Sequence, residues 1–157
     1  MTEFAALPDN PALALGFDFG RRRIGVAVGS RATGTATPVT CVACREGRPD
    51  WTSIGKLIDD WGPDLLVVGL PYNIDGSESD MSRAACRFGH RLGGRFGLPV
   101  EFVDERLSSD EAERQLREKR QRGDRRRVRK QEVDELAAAI ILQNWLDSTK
   151  EQGPERG

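Results

Sequence analysis

The fold of this chain is decided by residues 13–30, which read LALGFDFGRRRIGVAVGS. Two apolar segments joined by a short basic linker predict two antiparallel strands. Side chains of a strand alternate between its faces, so Phe17 and Phe19 predict a core face. Asp18 then lies on the other face, among very small neighbours. A buried carboxylate without a partner is unfavourable, so we expect either a linker arginine or an external cation beside Asp18.

Beyond these strands, the apolar pattern predicts alternating strands and helices. Predicted strands are 13–19, 23–30, 36–44, 65–70 and 98–105, and predicted helices are 50–61, 79–96, 108–116 and 132–147. The continuous apolar run 65–70 is typical of a central parallel strand that is covered on both faces. Three strands followed by alternating helices and strands predict an α/β fold with a mixed sheet, whose first three strands are antiparallel.

Length and composition favour one domain. The chain has 157 residues, of which 38% are hydrophobic and 31% charged, enough for a single core. We expect this domain to span residues 12–147, between a flexible leader, 1–11, and a polar, disordered tail, 148–157. The 24 Lys and Arg residues are balanced by 25 Asp and Glu, which argues against the generally basic surface of many nucleic-acid binders.

Signals for export or for a membrane are absent from the sequence. The N-terminal residues lack the basic region of a signal peptide, and no apolar run approaches the ~18 residues of a membrane helix. Three cysteines, an odd number, disfavour a disulfide framework. We therefore expect a cytoplasmic protein with reduced thiols and no membrane partner.

Carboxylates stand at three places where packing does not explain them. Asp18 is on the first strand, Asp104 and Glu105 end the last strand, and Asp134 adjoins the apolar stripe of the last helix. If that helix packs over the first strand, three carboxylates converge and repel one another unless cations bind. Mg²⁺ or Mn²⁺ suits such oxygen ligands. Two ions ~3.5–4 Å apart would hold the attacking and leaving oxygens of a phosphodiester.

A simpler interpretation of the same acids stays open. Asp18 could form an ion pair with one of the linker arginines, 21–23. Asp134 could be an acid in the first turn of a helix, where the helix dipole favours negative charge.

Positive charge is concentrated just before Asp134. Residues 117–130 contain nine basic residues and two acidic ones, so a phosphate backbone bound there would pass the carboxylates. A solvated helix end is the alternative. A second basic cluster suits a solvated helix face equally well; it comprises Arg83, Arg87, His90, Arg91 and Arg95.

Two polar features remain. Asn73 follows the buried strand 65–70 at the edge where α/β proteins usually place ligands. Cys41 and Cys44 have CxxC spacing, but residues three apart on a strand face opposite ways. This spacing therefore does not predict a zinc site.

Four ordered motifs closely resemble the YqgF family, also called RuvX, which is related to the RuvC Holliday junction resolvases. They are GFDFGRRRIGVAVGS, LLVVGLPYNIDGSES, VEFVDERLSSDEA and VDELAAAIIL. The resemblance covers about residues 12–147. It implies a ribonuclease H-like fold, with a five-stranded mixed sheet flanked by helices. It also implies nuclease chemistry in which Asp18, Glu105 and Asp134 bind two Mg²⁺ or Mn²⁺ ions.

One departure from the family concerns the end of the second strand. Some members have Ser-Asp there, whereas this chain has Ser30 and Arg31. A role for an acid at that point is thereby weakened, and the set of three carboxylates is unaffected.

The resemblance implies an endonuclease that matures the 5′ end of 16S rRNA, with pre-16S rRNA or the ribosomal precursor particle as its partner. Branched DNA, cut as by a Holliday junction resolvase, and a non-catalytic role in ribosome assembly are the alternatives. We expect a monomer or a weak homodimer. The expected nucleic-acid-binding residues are Arg21, Arg22, Arg23, Asn73, Arg83, Arg106, Arg125, Arg126, Arg127 and Lys130.

Overall fold

A computed structural model of the chain describes residues 12–73, 75–104 and 130–152. Its strands are β1 (Leu13–Phe19), β2 (Arg23–Ser30), β3 (Thr35–Arg45), β4 (Arg48–Pro49), β5 (Leu65–Leu70) and β6 (Val100–Asp104). Its helices are α1 (Trp51–Trp61), α2 (Asp80–Phe96) and α3 (Lys130–Gln152). The leader 1–11 and the predicted helix 108–116 lie outside the described residues. Helix α3 continues through 148–152, which the sequence pattern assigns to the polar tail.

The strands form one mixed sheet in the order β4-β3-β2-β1-β5-β6. As predicted, β1 pairs antiparallel with β2, and β2 pairs antiparallel with β3. Strand β5 joins β1 in parallel, and β6 joins β5 in parallel. This α/β architecture, with β5 buried between β1 and β6, confirms the predicted fold class.

The prediction of five strands is wrong, because the sheet has six. Glu46 and Gly47 have φ values of 50° and 79°, which makes a tight turn of the kind that joins hairpin strands. The chain folds back there, and Arg48 pairs with Arg45 at the edge of the sheet. A non-glycine residue in this left-handed region is uncommon, so Glu46 gives no signal of a tight reversal. The sequence pattern therefore indicates a turn but not the short strand that pairs after it.

Two hydrophobic cores lie on opposite faces of the sheet. On one face, α1 and α2 cover the larger core, which includes Leu15, Phe17, Phe19, Ile24, Val26, Leu66, Val68, Phe88 and Leu92. On the other face, α3 covers a core that includes Ala14, Ala27, Leu65, Val67, Ala138, Ile141, Leu142 and Trp145. The residues of β1 and β2 under α3 are mostly glycine and alanine, so this helix lies close to these two strands.

Capping residues mark the start of α1 and α2 and the end of α1, close to the predicted bounds. The carboxylate of Asp50 accepts a hydrogen bond from the Ser53 backbone N–H at 3.2 Å and caps α1, as N-cap acids do. Gly62, with φ of 60°, ends α1 in the left-handed conformation that favours glycine. Ser79 caps α2 by accepting from the Ser82 N–H at 2.9 Å.

No helix in the described part of the chain is long and apolar enough to cross a lipid bilayer.

Candidate active site

The carboxyl ends of β1, β5 and β6 lie at one edge of the sheet, because these three strands run parallel. Asp18 stands near the end of β1 and is partly buried. Asn73 lies in the loop after β5, and Asp104 ends β6. Edges of this kind are where α/β sheets usually bind ligands.

The close approach of α3 to Gly25 brings Asp134 beside Asp18. Gly25 pairs with Asp18 across β1 and β2. Directly opposite residues lie about 4.5–5.5 Å apart and project to the same face of the sheet. A Cβ added to Gly25 would lie 2.1 Å from the carbonyl oxygen of Asp134 and 2.6 Å from its carbonyl carbon. Only glycine leaves room for the helix here, and two of the three predicted carboxylate residues therefore share one small region.

Arg23 forms an ion pair with one member of this acidic pair, Asp18 and Asp134. The Arg23 Nε donates to Asp134 Oδ2 at 3.0 Å. Both side chains are largely withdrawn from water, with 29% and 28% of their surfaces exposed. The sequence left open an ion pair between a linker arginine and Asp18. In the structure Arg23 pairs with Asp134, because Arg23 and Gly25 are two apart on β2 and face the same helix.

Cys41 is a neighbour of the acidic pair that the sequence pattern did not identify. It pairs with Gly25 across β2 and β3, so Asp18, Gly25 and Cys41 form one row across three strands. Burial raises the pKa of the Cys41 thiol to about 12, and the negative charges of Glu135, Asp134 and Asp18 add to this effect, while Arg23 opposes it. The thiol is therefore a neutral group at neutral pH.

The sequence does not predict this row of residues, because β2 and β3 do not pair in a uniform register. A bulge between Val26 and Ala27 shifts the pairing by one residue, and such a shift exchanges the faces of all later side chains. Cys44 lies in the core on the opposite face from Cys41, as strand alternation predicts.

The start of α3 concentrates negative charge. Burial raises the pKa of the Glu135 carboxyl, and the nearby Glu132 and Asp134 carboxylates raise it further. Like charges that oppose one another's ionisation attract cations. The first turns of α3 thus present a negative potential beside the acidic pair.

The third predicted carboxylate is either Asp104 or Glu105 by spacing alone. Val103 packs in the core under α3, whereas Phe102 packs in the core under α1 and α2. Alternation places Asp104 on the face of Phe102, away from Asp18, and its side chain is exposed. Glu105 lies outside the described residues, as do Arg106 and 125–127.

The three linker arginines have three different environments. Arg21 Nε donates to the Met81 sulfur at 3.4 Å, on the side of α2. Arg22 lines a groove between β3 and β4. Arg23 forms its ion pair with Asp134 on the face covered by α3, so neighbours in the sequence have separate surroundings in the fold.

Two other predicted nucleic-acid-binding residues, Arg83 and Asn73, form ion pairs or hydrogen bonds with residues near them in the chain. The Arg83 guanidinium lies 2.5 Å from the Asp80 carboxylate and 3.8 Å from Glu78. Asn73 Nδ2 donates to Ser77 Oγ at 3.0 Å and to the Glu78 carbonyl at 3.3 Å, which closes the loop after β5. Lys130 is the first residue of α3.

The acidic pair fits a hard divalent cation. No three His, Cys, Asp or Glu side chains within residues 12–73, 75–104 and 130–152 come close enough together to hold a metal ion. Magnesium, however, is often bound through one or two carboxylates, with water and substrate phosphate completing its shell. Asp18 and Asp134 supply two such groups on one face of the sheet. A bound cation would compete with Arg23 for the Asp134 carboxylate.

Comparisons with known proteins agree over nearly the whole chain. The sequence model described as "RuvX: Holliday junction resolvase" matches residues 12–148. A protein of Nitrosococcus oceani named "Putative pre-16S rRNA nuclease" is 54% identical over 142 residues, which cover 90% of this chain and 91% of that protein. A protein of the same name from Chromohalobacter salexigens is 53% identical over 134 residues, covering 85% and 88%.

Solved structures show the same fold at low identity. The T. thermophilus RuvC in complex with a Holliday junction substrate superposes with a TM-score of 0.53 at 15% identity, covering 88% of this chain and 96% of that one. The fowlpox virus Holliday junction resolvase has a TM-score of 0.50 at 12% identity, covering 87% and 99%. The fold is thus the RuvC-like form of the ribonuclease H architecture, and the chain belongs to the RuvX family.

Proposed function

We propose that this protein is a cytoplasmic, metal-dependent endonuclease that processes the 5′ end of pre-16S rRNA. The observation that carries the proposal is the approach of α3 onto Gly25, which sets Asp134 next to Asp18. Relatives at 54% and 53% identity carry a pre-16S rRNA nuclease name. A pair of carboxylates beside the edge of an α/β sheet is consistent with hydrolysis of a phosphodiester.

In this proposal Asp18, Asp134 and Glu105 hold Mg²⁺ or Mn²⁺. When bound, such cations supply a Lewis acid and lower the pKa of a bound water. Asp18 is held rigidly by the β1–β2 pairing. Asp134 is held by the packing of α3 and by Arg23. Arg23 therefore positions one carboxylate and balances its charge until a cation and substrate arrive.

The basic residues 117–130 are proposed to bind the RNA backbone. They immediately precede the carboxylates of α3 in the chain, so phosphates held by them would pass the acidic pair. Phosphate contacts position a nucleic acid without reading its sequence. We therefore expect binding through this segment to weaken steeply as salt concentration rises.

The direct test replaces Asp18 with Asn, which keeps the shape and removes the charge. The purified variant and the wild-type protein are incubated with precursor 16S RNA, free and within ribosomal particles, in Mg²⁺ or Mn²⁺, and the 5′ ends are mapped. We expect cleavage to fall at least a hundredfold. Asp60→Asn, a change of the same kind at an exposed site on α1, is the matched control. Undiminished cleavage by Asp18→Asn contradicts the proposal.

Holliday junction resolution is the second candidate, favoured by the description of the family model. Resolution needs two symmetric cuts and hence a twofold dimer on the junction. Sedimentation of the protein with junction DNA and with precursor RNA separates the two functions. A monomer on junction DNA favours the RNA nuclease, and failure to bind Mn²⁺ at millimolar concentration favours a non-catalytic assembly role.

A further inference from the structure

The β3–β4 hairpin carries two arginines, Arg45 and Arg48, that the sequence pattern does not single out. They are direct partners across the two strands, so their side chains project to the same face, with Cβ atoms about 4.5–5.5 Å apart. Both are exposed. Like charges directly opposite one another lower the stability of a strand pair, so the fold alone does not account for these two residues.

The hairpin arginines, Arg45 and Arg48, lie at the same edge of the sheet as the acidic pair. Strands β1 and β3 are both antiparallel to β2, so β1 and β3 end at one edge. Cys44 lies in the core under α1 and α2, so alternation places Arg45 on the other face, with Cys41 and Asp18. Arg45 is four residues beyond Cys41, which corresponds to about 13 Å along the strand. The hairpin arginines therefore extend the face of the acidic pair outwards.

Backbone hydrogen bonds hold the hairpin against the linker between β1 and β2. The Cys44 N–H donates to the Arg22 carbonyl at 3.0 Å, and the Gly47 N–H donates to the Arg21 carbonyl at 3.3 Å. This linker directly follows the strand that carries Asp18. The hairpin arginines are thus attached to the same frame as the acidic pair, and a group that is held in place before binding loses less freedom on binding.

The charge of the hairpin arginines is not neutralised within the described part of the chain. Together with Arg22 they line the groove between β3 and β4, and none of the three forms an ion pair with a described carboxylate. Two acids also line this groove, Glu46 and Asp50. The Asp50 carboxylate is engaged as the cap of α1, where it accepts from the Ser53 backbone N–H at 3.2 Å and from the Ser53 hydroxyl at 2.7 Å. The groove is left with an excess of positive charge.

We propose that Arg45 and Arg48 bind the phosphate backbone of the nucleic-acid strand that passes the acidic pair, with Arg22 as a third contact. The planar guanidinium group donates two parallel hydrogen bonds to one phosphate, and a phosphate between the hairpin arginines removes their repulsion. A strand is favoured over a free phosphate ion because the arginines continue the face of a site that acts on phosphodiesters. The inference rests on the proposed function for this ligand, and it adds a contact surface separate in sequence from residues 117–130.

Fluorescence anisotropy with a labelled single-stranded RNA dodecamer tests the inference in EDTA, where cleavage does not compete. The association constant of the intact protein is measured over a series of KCl concentrations. Each phosphate contact contributes about 0.7 to the slope of log K against log salt for a single strand. We expect Arg45→Gln and Arg48→Gln each to lower the slope by about this amount, which corresponds to about fivefold weaker binding at about 0.1 M KCl.

Lys56→Gln is the matched control, because Lys56 is an exposed cation on α1, the helix that packs on the opposite face of the sheet. Its slope and affinity should equal those of the wild-type protein. Urea unfolding gives a second readout. Arg48→Gln should leave the midpoint unchanged or raise it, since the change removes a repulsive pair, whereas a lower midpoint would show a structural role instead.

An unchanged slope in both arginine variants overturns the inference, and so does an equal effect of Lys56→Gln. Inorganic phosphate that displaces the RNA at equal phosphate concentration would show a site for a free anion and would also overturn it. The two proposals fail separately. If binding depends on Arg45 and Arg48 but the wild-type protein cleaves no precursor RNA in Mg²⁺, the nuclease function alone is refuted. If the protein cleaves RNA while binding is indifferent to both arginines, this inference alone is refuted.

Discussion

Gly25→Ala is the substitution that most directly tests how the acidic pair is assembled. The new methyl group would lie 2.1 Å from the carbonyl oxygen of Asp134, whereas ordinary contacts begin at 3.4 Å. The neighbour is helix backbone, so the start of α3 must move by more than about 1 Å to make room. A displacement of about 1 Å between reacting groups can reduce a rate by about a hundredfold.

We expect two results from this one methyl group. Overpacking of this kind costs about 1–3 kcal/mol of folding stability, which a urea titration measures. Cleavage of precursor 16S RNA falls about a hundredfold, with Asp18, Arg23 and Asp134 all still present. Loss of activity without loss of any charged group would show that the spacing between α3 and the sheet is what the site requires.

The matched control is Gly94→Ala. Gly94 lies in α2 and a Cβ there would meet nothing within 4 Å, so the change favours the helix by about 0.5–1 kcal/mol. Activity should be unchanged. The reasoning is refuted if Gly25→Ala is as stable and as active as the wild-type protein, because α3 could not then lie where the contact requires.

Three further changes probe the same region and the helix ends. Arg23→Gln lowers the free energy of unfolding by less than about 1 kcal/mol, because the ion pair of Arg23 with Asp134 is partly solvated. The same change raises the affinity for Mn²⁺ by removing a competing cation. Weaker Mn²⁺ binding in calorimetry would show instead that Arg23 is needed to hold Asp134. The Cys41 pKa of about 12, against an ordinary 9.0, keeps the folded thiol protonated while the unfolded thiol ionises, so the free energy of unfolding falls as pH rises above 9. Cys41→Ser should remove part of that fall in urea titrations from pH 8 to 10.5. Identical profiles for the two proteins would contradict the shift. Gly62→Ala costs about 1 kcal/mol in the same titrations, because an L-residue is strained at a φ of 60° even where its methyl group would meet nothing within 4 Å. An unchanged midpoint would exclude backbone strain there.

Strand and helix positions were largely predictable from local pattern. The segments 13–19, 23–30 and 65–70 match β1, β2 and β5, because continuous or alternating apolar residues specify strands without reference to distant partners. The predicted helices 50–61 and 79–96 begin one residue before α1 and α2, at the residues that cap them in the structure. The short β4 escaped prediction because it depends on a left-handed Glu46, for which a non-glycine residue gives no signal.

The amino-acid sequence by itself determined the class of fold, the family and the choice of Asp18 and Asp134 as candidates. These follow from residue types and their order, which local chemistry and motif spacing express directly. Only the tertiary structure decided that Arg23 binds Asp134, that Cys41 joins the row of Asp18, and that Arg45 and Arg48 lie on the same face of the sheet as the acidic pair. Each of these depends on strand register, on a bulge or on how closely a helix approaches the sheet, and such distances are set by packing between segments far apart in the chain.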